Sequence, residues 1–184
     1  MRIVEIRRHA ERDGDEDLTP RGLATAAKAR ESLDFPYHAP YVSPRKRARL
    51  TMEAFGIHDA VVEARIDERP RPPFLPFETR WRALIDTGLD AVTAWFSIPE
   101  AIPVLLESGA RALEGVREIA AKLPERGRAL AVSHGGTIEP LAVVATGRPY
   151  AQLFGTAELG YCEGVKACFH GEELDRLDVI RLRV

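Results

Sequence analysis

The chain has 184 residues, of which 45% are hydrophobic and 29% charged, and its formal net charge is −2. At roughly 150 residues per domain, this length predicts one domain spanning residues 1–184, and the apolar content excludes a globally disordered chain. A net charge this close to zero gives no whole-surface field that attracts nucleic acid or an anionic membrane. We therefore expect neither as a partner.

The chain reaches Arg7 and Arg8 too early for the apolar segment of a secretory signal, and no later apolar run approaches the ~18 residues of a membrane span. These features predict a soluble, cytoplasmic protein. The 22 arginines and only 4 lysines are typical of a GC-rich bacterial genome. Cys162 and Cys168 lie in an apparent strand, roughly 20 Å apart, which excludes a disulfide between them.

The first part of the chain alternates short β-branched runs with amphipathic segments. The predicted elements are a strand at 2–7, a helix from Thr19 and Pro20 to the residue before Pro36, a strand at 41–42, a helix capped by Ser43 and begun by Pro44 that ends at Gly56, and a strand at 61–67. Each predicted helix has a capping residue followed directly by proline, the usual signal of a helix start.

The middle of the chain, at about 69–104, is rich in proline and predicts a small helical cap insertion, with Trp81 and Trp95 in its core. The remaining predicted elements are a helix at 105–123, a strand at 129–132, a helix at 137–146, and strands at 165–169 and 177–184. Strands that alternate with helices predict an α/β fold. We expect a three-layer sandwich whose mostly parallel central sheet is flanked by helices.

Histidines and charged side chains follow the predicted strands at their carboxyl ends. They are Arg8 and His9 after the first strand, Arg47 after the second, Glu68 after the third, and His134 with Gly135 after the fourth. Ligands of open α/β sheets bind at this edge, so these residues should converge there. Guanidinium groups fork onto phosphate oxygens, and the helix starts after Pro44 and Gly135 add positive dipole ends. The predicted pocket suits a phosphoryl group.

These residues and their neighbours resemble the histidine phosphatase superfamily, also called phosphoglycerate mutase-like, over nearly the whole chain. The motifs that carry the resemblance are Arg8-His9-Ala10-Glu11, Leu18-Thr19-Pro20-Arg21-Gly22, Ser43-Pro44-Arg45-Lys46-Arg47-Ala48 with Thr51, Glu68, and Val132-Ser133-His134-Gly135-Gly136. The sequence departs from the family pattern at Ala10, where glycine is commoner. It also departs at residues 70–73, which lack the Gly- and Trp-containing segment of many relatives.

The resemblance implies a compact phosphatase that hydrolyses a phosphorylated metabolite without a cofactor or metal. His9 would attack phosphorus and form a phosphohistidine, while Arg8, Arg47 and His134 would hold the phosphoryl oxygens. Gly135 would lie at the same phosphate-binding edge. These roles are implied by the family motif and are not worked out from spacing alone.

Glu68 would protonate the leaving oxygen and then activate the water that releases phosphate. We expect burial to raise its pKa against the pull of the nearby arginines. Asp67 and Glu78 are the rival proton donors. A metal held by His9, Glu11 and His134 is disfavoured because two neighbouring arginines would repel a cation.

Three other functions stay open from the sequence. A phosphoglycerate mutase-type phosphoryl transferase is disfavoured because the chain lacks the long insertions and tail that the resemblance implies for the larger mutases. A protein phosphohistidine phosphatase acting on a phosphoprotein is compatible with a small cap. A noncatalytic phosphate-binding module is disfavoured because both histidines and both arginines are present.

Overall fold

The computed structural model describes residues 1–14, 16–68 and 72–182, and within them the chain forms one six-stranded sheet. The strands are β1 (Arg2–Arg8), β2 (Ala39–Val42), β3 (Val61–Val62), β4 (Arg128–Ser133), β5 (Gly164–His170) and β6 (Glu173–Ile180). Their order across the sheet is β3-β2-β4-β1-β5-β6. The first four strands run parallel, β5 is antiparallel to β1, and β6 is antiparallel to β5. The mostly parallel sheet is confirmed.

Helices flank this sheet on both faces. They are α1 (Pro20–Ala29), α2 (Lys46–Ala54), α3 (Glu78–Asp86), α4 (Ala91–Phe96), α5 (Ile102–Lys122), α6 (Gly135–Thr146) and α7 (Tyr150–Phe154), with 3-10 segments at Arg30–Ser32, Ala64–Ile66, Pro72–Phe77 and Pro99–Ala101. None of the helices in the described ranges is long and apolar enough to cross a bilayer.

The alternation of side chains along the strands produces two apolar layers. Val4 and Ile6 of β1 pack in one hydrophobic cluster with residues of α5 and α6, whereas Leu130 and Val132 of β4 pack in a second cluster with residues of α1 and α2. Successive residues of a strand point to opposite faces, so one central sheet serves both clusters. The predicted three-layer sandwich is therefore confirmed.

Several predicted boundaries are wrong. The strand predicted at 61–67 ends at Val62, because the chain turns into a 3-10 helix where the Glu63 side chain accepts a hydrogen bond from the Arg65 amide. The second helix begins at Lys46, so Ser43 is not its cap. The last strand runs from Glu173 to Ile180, so it starts earlier than predicted and does not include Arg181 and Leu182. Residues 183–184 of that prediction lie outside the described ranges. Helix α7 was not predicted.

The predicted cap corresponds to the two 3-10 segments Pro72–Phe77 and Pro99–Ala101 with α3 and α4 between them. Residues 69–71 of that prediction lie outside the described ranges, and α5 already begins at Ile102. Cys162 precedes β5 in a left-handed conformation, with φ of 62°, and is not in a strand. Both cysteines are buried and free, and burial raises the pKa of the Cys162 thiol to about 12. The single domain stays a prediction.

Candidate active site

The two predicted catalytic histidines lie side by side because their strands are neighbours. His9 follows β1 and His134 follows β4, and the His9 amide donates to the Ser133 carbonyl at 2.9 Å. The two imidazole rings have centroids 5.3 Å apart. Both residues are buried, with 5% of His9 and none of His134 exposed. Parallel pairing of β1 and β4 thus brings together two residues distant in sequence.

Hydrogen bonding fixes which nitrogen of His9 is available for chemistry. Nδ1 lies 2.7 Å from the carbonyl oxygen of Ala10. A carbonyl only accepts hydrogen bonds, so Nδ1 carries the proton and Nε2 keeps its lone pair. The pKa of His9 is lowered to about 3. Burial is the largest cause, and electrostatic repulsion from His134, Arg47 and Arg8 also contributes. His9 is therefore a neutral imidazole with a free nucleophilic nitrogen at neutral pH.

The loop after His9 is fastened to α2 by Thr51. The Ala10 amide donates to Thr51 Oγ1 at 2.9 Å, and Thr51 Oγ1 in turn donates to the Arg47 carbonyl at 2.7 Å. Ala10 is fully buried in this arrangement, so the methyl group at this position is accommodated. Gly22 explains the second motif, since a Cβ there would lie 2.1 Å from the Glu11 carbonyl oxygen.

The two predicted phosphate-binding arginines enter the site from different elements. Arg8, at the end of β1, lies with its guanidinium carbon 4.8 Å from the ring centre of Tyr161 and bonds to Glu158 at 2.6 Å. It also donates to the Leu159 carbonyl. Arg47, in the first turn of α2, is almost fully buried and donates from Nη1 to Glu16 at 2.7 Å. Both guanidinium groups therefore have one side held by a carboxylate.

Buried nitrogens without a hydrogen-bond partner converge on the space between these residues. Within the described ranges they are Arg8 Nε, Arg47 Nε, Arg47 Nη2 and His134 Nδ1. Arg47 Nη2 lies 2.5 Å from Glu68 Oε2, an ion contact without an aligned N–H bond. A buried donor left unpaired costs about 1–3 kcal/mol. An anion with several oxygens, such as a phosphoryl group, supplies acceptors for the arginine nitrogens, and for His134 Nδ1 once that ring is protonated.

His134 has an acidic neighbour on each side of its ring. Nε2 lies 2.7 Å from Ser43 Oγ and 3.4 Å from Asp67 Oδ1, while Nδ1 lies 3.5 Å from Glu68 Oε1. Burial is the largest cause that lowers the pKa of His134, and the two carboxylates oppose it. Ser43, predicted as a helix cap, instead contacts the His134 ring.

Glu68 lies at the mouth of the site, and its pKa differs from the prediction. Burial raises the pKa of Glu68, but the positive charges of His134, Arg47 and Arg45 outweigh it, and the pKa is lowered overall. The expectation of a raised pKa is therefore wrong for the unliganded site. The side chain is 43% exposed, although its two carboxyl oxygens approach Arg47 and His134.

The rival proton donors, Asp67 and Glu78, do not approach Nδ1 of His134 as Glu68 does. Asp67 bonds to Arg45 Nε at 3.0 Å and approaches His134 from the side facing away from Glu68. Burial acts to raise the pKa of Asp67, but the contacts with His134 and Arg45 outweigh burial, and the pKa of Asp67 is lowered overall. Glu78, in α3, lines the same cavity as Glu68 and accepts from Arg82 at 2.6 Å. Glu68 is the carboxyl whose oxygen approaches His134 Nδ1, the unpartnered nitrogen.

His9, Glu68 and His134 each offer one atom within 4.8 Å of the others, which is a donor set that a metal ion would accept. Glu11 does not join this group in the described residues, since it accepts a hydrogen bond from Thr19 Oγ1. Arg8 and Arg47 place two positive charges beside the same space. Those charges oppose a cation and favour an anion.

Gly135, predicted at the phosphate edge, leaves room for Arg8. A Cβ at this position would lie 3.4 Å from the Arg8 guanidinium carbon and 3.1 Å from Glu139 Oε2. Glu139 is fully buried and accepts from the Leu159 amide at 2.7 Å, and burial raises its pKa well above the ordinary value. The raised pKa favours its neutral form, and its contact with the Leu159 amide supports the segment that holds Arg8.

Sequence reasoning missed two carboxylates that hold the arginines. Glu16 accepts from both the backbone amide and the guanidinium of Arg47, so it takes an amide at the start of α2 that was predicted to bind the anion. Glu158 holds Arg8 from a position 150 residues away. A single sequence carries no local signal for either contact, because both acids lie in polar loops.

The sequence matches the model of the histidine phosphatase superfamily (branch 1) over residues 5–175. The chain belongs to this superfamily. This confirms the predicted family and its enzyme class, a phosphatase of the histidine phosphatase type. A search of curated proteins found no match.

Several solved structures share the fold of this histidine phosphatase superfamily member. A mycobacterial glucosyl-3-phosphoglycerate phosphatase is 23% identical with a TM-score of 0.73, and the match covers 100% of both chains. Phosphoserine phosphatase from Entamoeba histolytica, solved with 3-phosphoglyceric acid, is 16% identical with a TM-score of 0.67 and 97% of each chain covered. Phosphoglycerate mutase from Bacillus anthracis is 15% identical with a TM-score of 0.67, covering 98% of this chain and 92% of that one.

Proposed function

We propose that this superfamily member is a metal-independent phosphomonoester hydrolase that acts on a phosphorylated metabolite through a phosphohistidine at Nε2 of His9. The observation that carries the proposal is the neutral, oriented His9 ring beside Arg8, Arg47 and His134, four of whose buried nitrogens lack an aligned hydrogen-bond partner. A phosphoryl group placed among those nitrogens lies next to the free lone pair of His9. Positioned cations and donors stabilise the charge of a phosphoryl-transfer transition state without a metal.

In the first step, Nε2 of His9 attacks phosphorus in line, the new N–P bond forms, and the bond from phosphorus to the leaving oxygen breaks. The proton of Glu68 passes to the leaving oxygen, which departs as an alcohol. In the second step, water attacks the phosphohistidine and gives its proton to the Glu68 carboxylate. Inorganic phosphate leaves, and both His9 and Glu68 return to their starting states.

Substrate binding supplies the protonation states that these steps need. The pKa of Glu68 is lowered in the unliganded site by His134, Arg47 and Arg45. A bound phosphoryl dianion offsets those positive charges and raises the pKa of Glu68 toward the protonated form. The same dianion favours proton uptake by His134, whose Nδ1 then donates to a phosphoryl oxygen.

Hydrolysis is favoured over phosphoryl transfer of the mutase type because the acid–base residue lies in contact with solvent. Glu68 has 43% of its side chain exposed, so a water molecule can approach the residue that would activate it. A mutase must exclude water until the phosphoryl group is handed back. The fold neighbours include phosphatases named for phosphoserine and glucosyl-3-phosphoglycerate, which supports a small phosphorylated substrate. A phosphoprotein substrate, a cytoplasmic location and a bacterial origin stay predictions from the sequence.

The direct test measures p-nitrophenyl phosphate hydrolysis with excess EDTA and traps the phosphoenzyme from a labelled phosphomonoester by rapid quench. We expect turnover to survive EDTA, and an acid-labile, alkali-stable label to accumulate. His9→Ala should remove both, with a loss on the order of 10⁴-fold or more in kcat. His170→Ala is the matched control, because His170 is an exposed histidine at the end of β5.

Three outcomes would contradict the proposal. Turnover that His9→Ala leaves intact would remove His9 as the nucleophile. Transfer of the label to a second substrate molecule in preference to water would identify a mutase instead. Phosphate binding with neither turnover nor a labelled protein would identify a noncatalytic module.

A further inference from the structure

A cavity of about 220 Å³ opens beside Glu68 on the side facing the cap. Its walls are Glu68, Phe74, Leu75, Glu78, Trp81, Trp95, Leu105 and Gly136. Gly136 lies in the first turn of α6, one residue beyond the phosphate-edge Gly135. The cavity is thus continuous with the catalytic site, on the side from which the leaving oxygen would depart. We call it the leaving-group cavity.

Aromatic rings from three cap segments form one wall. Trp81 and Trp95 stack with ring centroids 5.2 Å apart and planes inclined by 15°, and Phe74 lies 4.8 Å from Trp95. The indole N–H of Trp81 donates to the Ala91 carbonyl, so this donor is already used. Both tryptophans are only partly buried, whereas the sequence predicted them in the core of the cap. The rings therefore present apolar faces to a ligand.

We propose that the leaving-group cavity binds an apolar, uncharged leaving group, so that the preferred substrate is a phosphomonoester of an alkyl or aromatic alcohol. The inference rests on the proposed function, since it assigns the part of the substrate that the phosphate site does not hold. A cavity of roughly 150 Å³ already accepts benzene, so the volume here suits a single ring or a short alkyl chain. Apolar and aromatic walls with few polar groups are typical of such sites.

The charges at the cavity point to the same substrate class. Its described lining includes the carboxylates Glu68 and Glu78 but no lysine or arginine. Glu68 is already paired with Arg47 and Glu78 with Arg82, so a leaving group that carries its own carboxylate would have to compete with these acids for the guanidinium groups. A neutral leaving group has no such penalty and gains from burial against the rings.

A series of n-alkyl monophosphates tests this directly. Ethyl, butyl and hexyl phosphate leave as alcohols of nearly equal acidity, so differences in kcat/KM report binding in the cavity. We expect kcat/KM to rise with chain length by up to about fourfold per methylene, the ratio that corresponds to the burial of one methylene. Phosphoserine and 3-phosphoglycerate, which carry carboxylates, should be poorer substrates than butyl phosphate.

Three variants assign the effect to the cavity, each judged by its own ratio of hexyl to ethyl phosphate. Trp95→Ala removes the central ring of the wall and should reduce that ratio. Gly136→Leu should also reduce it, because a Cβ at Gly136 meets nothing within 4 Å and a larger side chain would fill the cavity. Phe96→Leu is the control, since Phe96 is adjacent in α4 but stacks on Tyr150 at 4.4 Å. It should keep the parent ratio.

Tryptophan fluorescence gives a readout that does not depend on turnover. The chain has two tryptophans and both line the cavity, so emission reports on this site. In His9→Ala, hexyl phosphate should shift the emission at concentrations where inorganic phosphate does not. Equal kcat/KM along the alkyl series, with ethyl phosphate still hydrolysed and His9 still labelled, would overturn the inference and leave the proposed function standing. Loss of all turnover and of His9 labelling in the parent protein would overturn the proposed function instead. If tryptophan emission also stayed unshifted with hexyl phosphate, the assignment of the cavity would be overturned as well.

Discussion

The phosphate side and the leaving-group side of the site are built in different ways. Arg8, His9 and His134 lie at the ends of central strands, where sheet hydrogen bonds hold the backbone on both sides. The facing wall consists of α3 and α4, with nine and six residues, and a 3-10 segment whose aromatic rings are partly exposed. The side chains whose positions matter most for the proposed reaction are thus held by the central strands of the sheet. Side chains on the cap can change with less effect on the reacting groups.

Glu158 is a physical link between these two sides. Its Oε1 accepts from Arg8 at 2.6 Å, and its Oε2 accepts from the Val92 amide at 3.1 Å in the first turn of α4. Asp90, which caps α4, accepts from the Glu158 amide at 3.1 Å. One carboxylate therefore positions both the Arg8 guanidinium and the start of a cap helix.

The largest effect expected after loss of the nucleophile comes from Glu68→Gln. The amide cannot protonate the leaving oxygen, so kcat for alkyl phosphates should fall by about 10³-fold, within the usual range for general acid–base catalysis. p-Nitrophenyl phosphate should lose much less, because its leaving group departs without a proton. Steady-state kinetics on both substrates checks this, with Asp67→Asn and Glu78→Gln compared in parallel. A larger and leaving-group-dependent loss in either of those variants would transfer the acid role to that residue.

The pH profile of kcat/KM sharpens the same assignment. A proton donor acts only when protonated, so kcat/KM should fall as pH rises through the pKa of Glu68, which lies below its ordinary value in the free enzyme. The nucleophile is lost only near the pKa of His9, about 3. The value of kcat/KM should therefore be greatest in acidic solution, below the ordinary pKa of a glutamic acid side chain. Ionisation of the substrate affects the parent and Glu68→Gln equally, so the two kcat/KM profiles are compared as a ratio. Relative to the parent, Glu68→Gln should lack the fall in kcat/KM with rising pH. An unchanged profile would contradict this role.

Arg47→Lys tests whether the phosphate side needs a fork or only a positive charge. Arg47 is buried and holds Glu16 with one nitrogen while two others lack aligned partners. Lysine keeps the charge but not the planar pair of donors, so kcat/KM should fall about 10²-fold for every substrate. Arg49→Lys is the control on the same helix, where the side chain is 61% exposed. A comparable loss in both variants, or a loss explained by a lower melting temperature, would argue against a specific role.

Glu158→Gln should produce the smallest effect, and its sign is informative. Glutamine keeps an acceptor for Arg8 but removes a negative charge near the phosphate, so inhibition by inorganic phosphate should become about threefold tighter. Glu158→Ala removes the positioning contact as well and should weaken inhibition. If both variants weaken phosphate binding equally, the charge of Glu158 does not act on the anion.

The histidines were predictable because each follows a buried β-branched or alanine-rich strand, and parallel strands end at one edge. The side chain of Ser43 illustrates what the sequence cannot supply. Serine before proline is a common helix start, yet here its hydroxyl lies 2.7 Å from His134 Nε2 and the helix begins later, at Lys46. The local sequence favoured a helix cap at Ser43, but in the folded protein the Ser43 hydroxyl contacts His134.

The charge interactions within the site were less predictable from the sequence than the identities of the residues that form it. The pKa of Glu68 depends on the balance between burial and three positive neighbours, and that balance requires distances. Glu16 and Glu158 pair with arginines across 31 and 150 residues of sequence. Neither pairing follows from periodicity, because both acids lie outside helices and strands. Residue identity shows which groups can pair, and only the fold shows which of them do.

The position of β1 in the sheet also affects when the protein gains activity. β1 is synthesised long before its two neighbours, β4 and β5, which begin at Arg128 and Gly164. Until those strands emerge, both edges of β1 lack their partners and the two histidines have no shared edge to occupy. Pairing across such sequence separations is slow and leaves strand edges open to aggregation. The edge that His9 and His134 share can therefore form only after β4 has been synthesised, and β1 is paired on both sides only once β5 has followed.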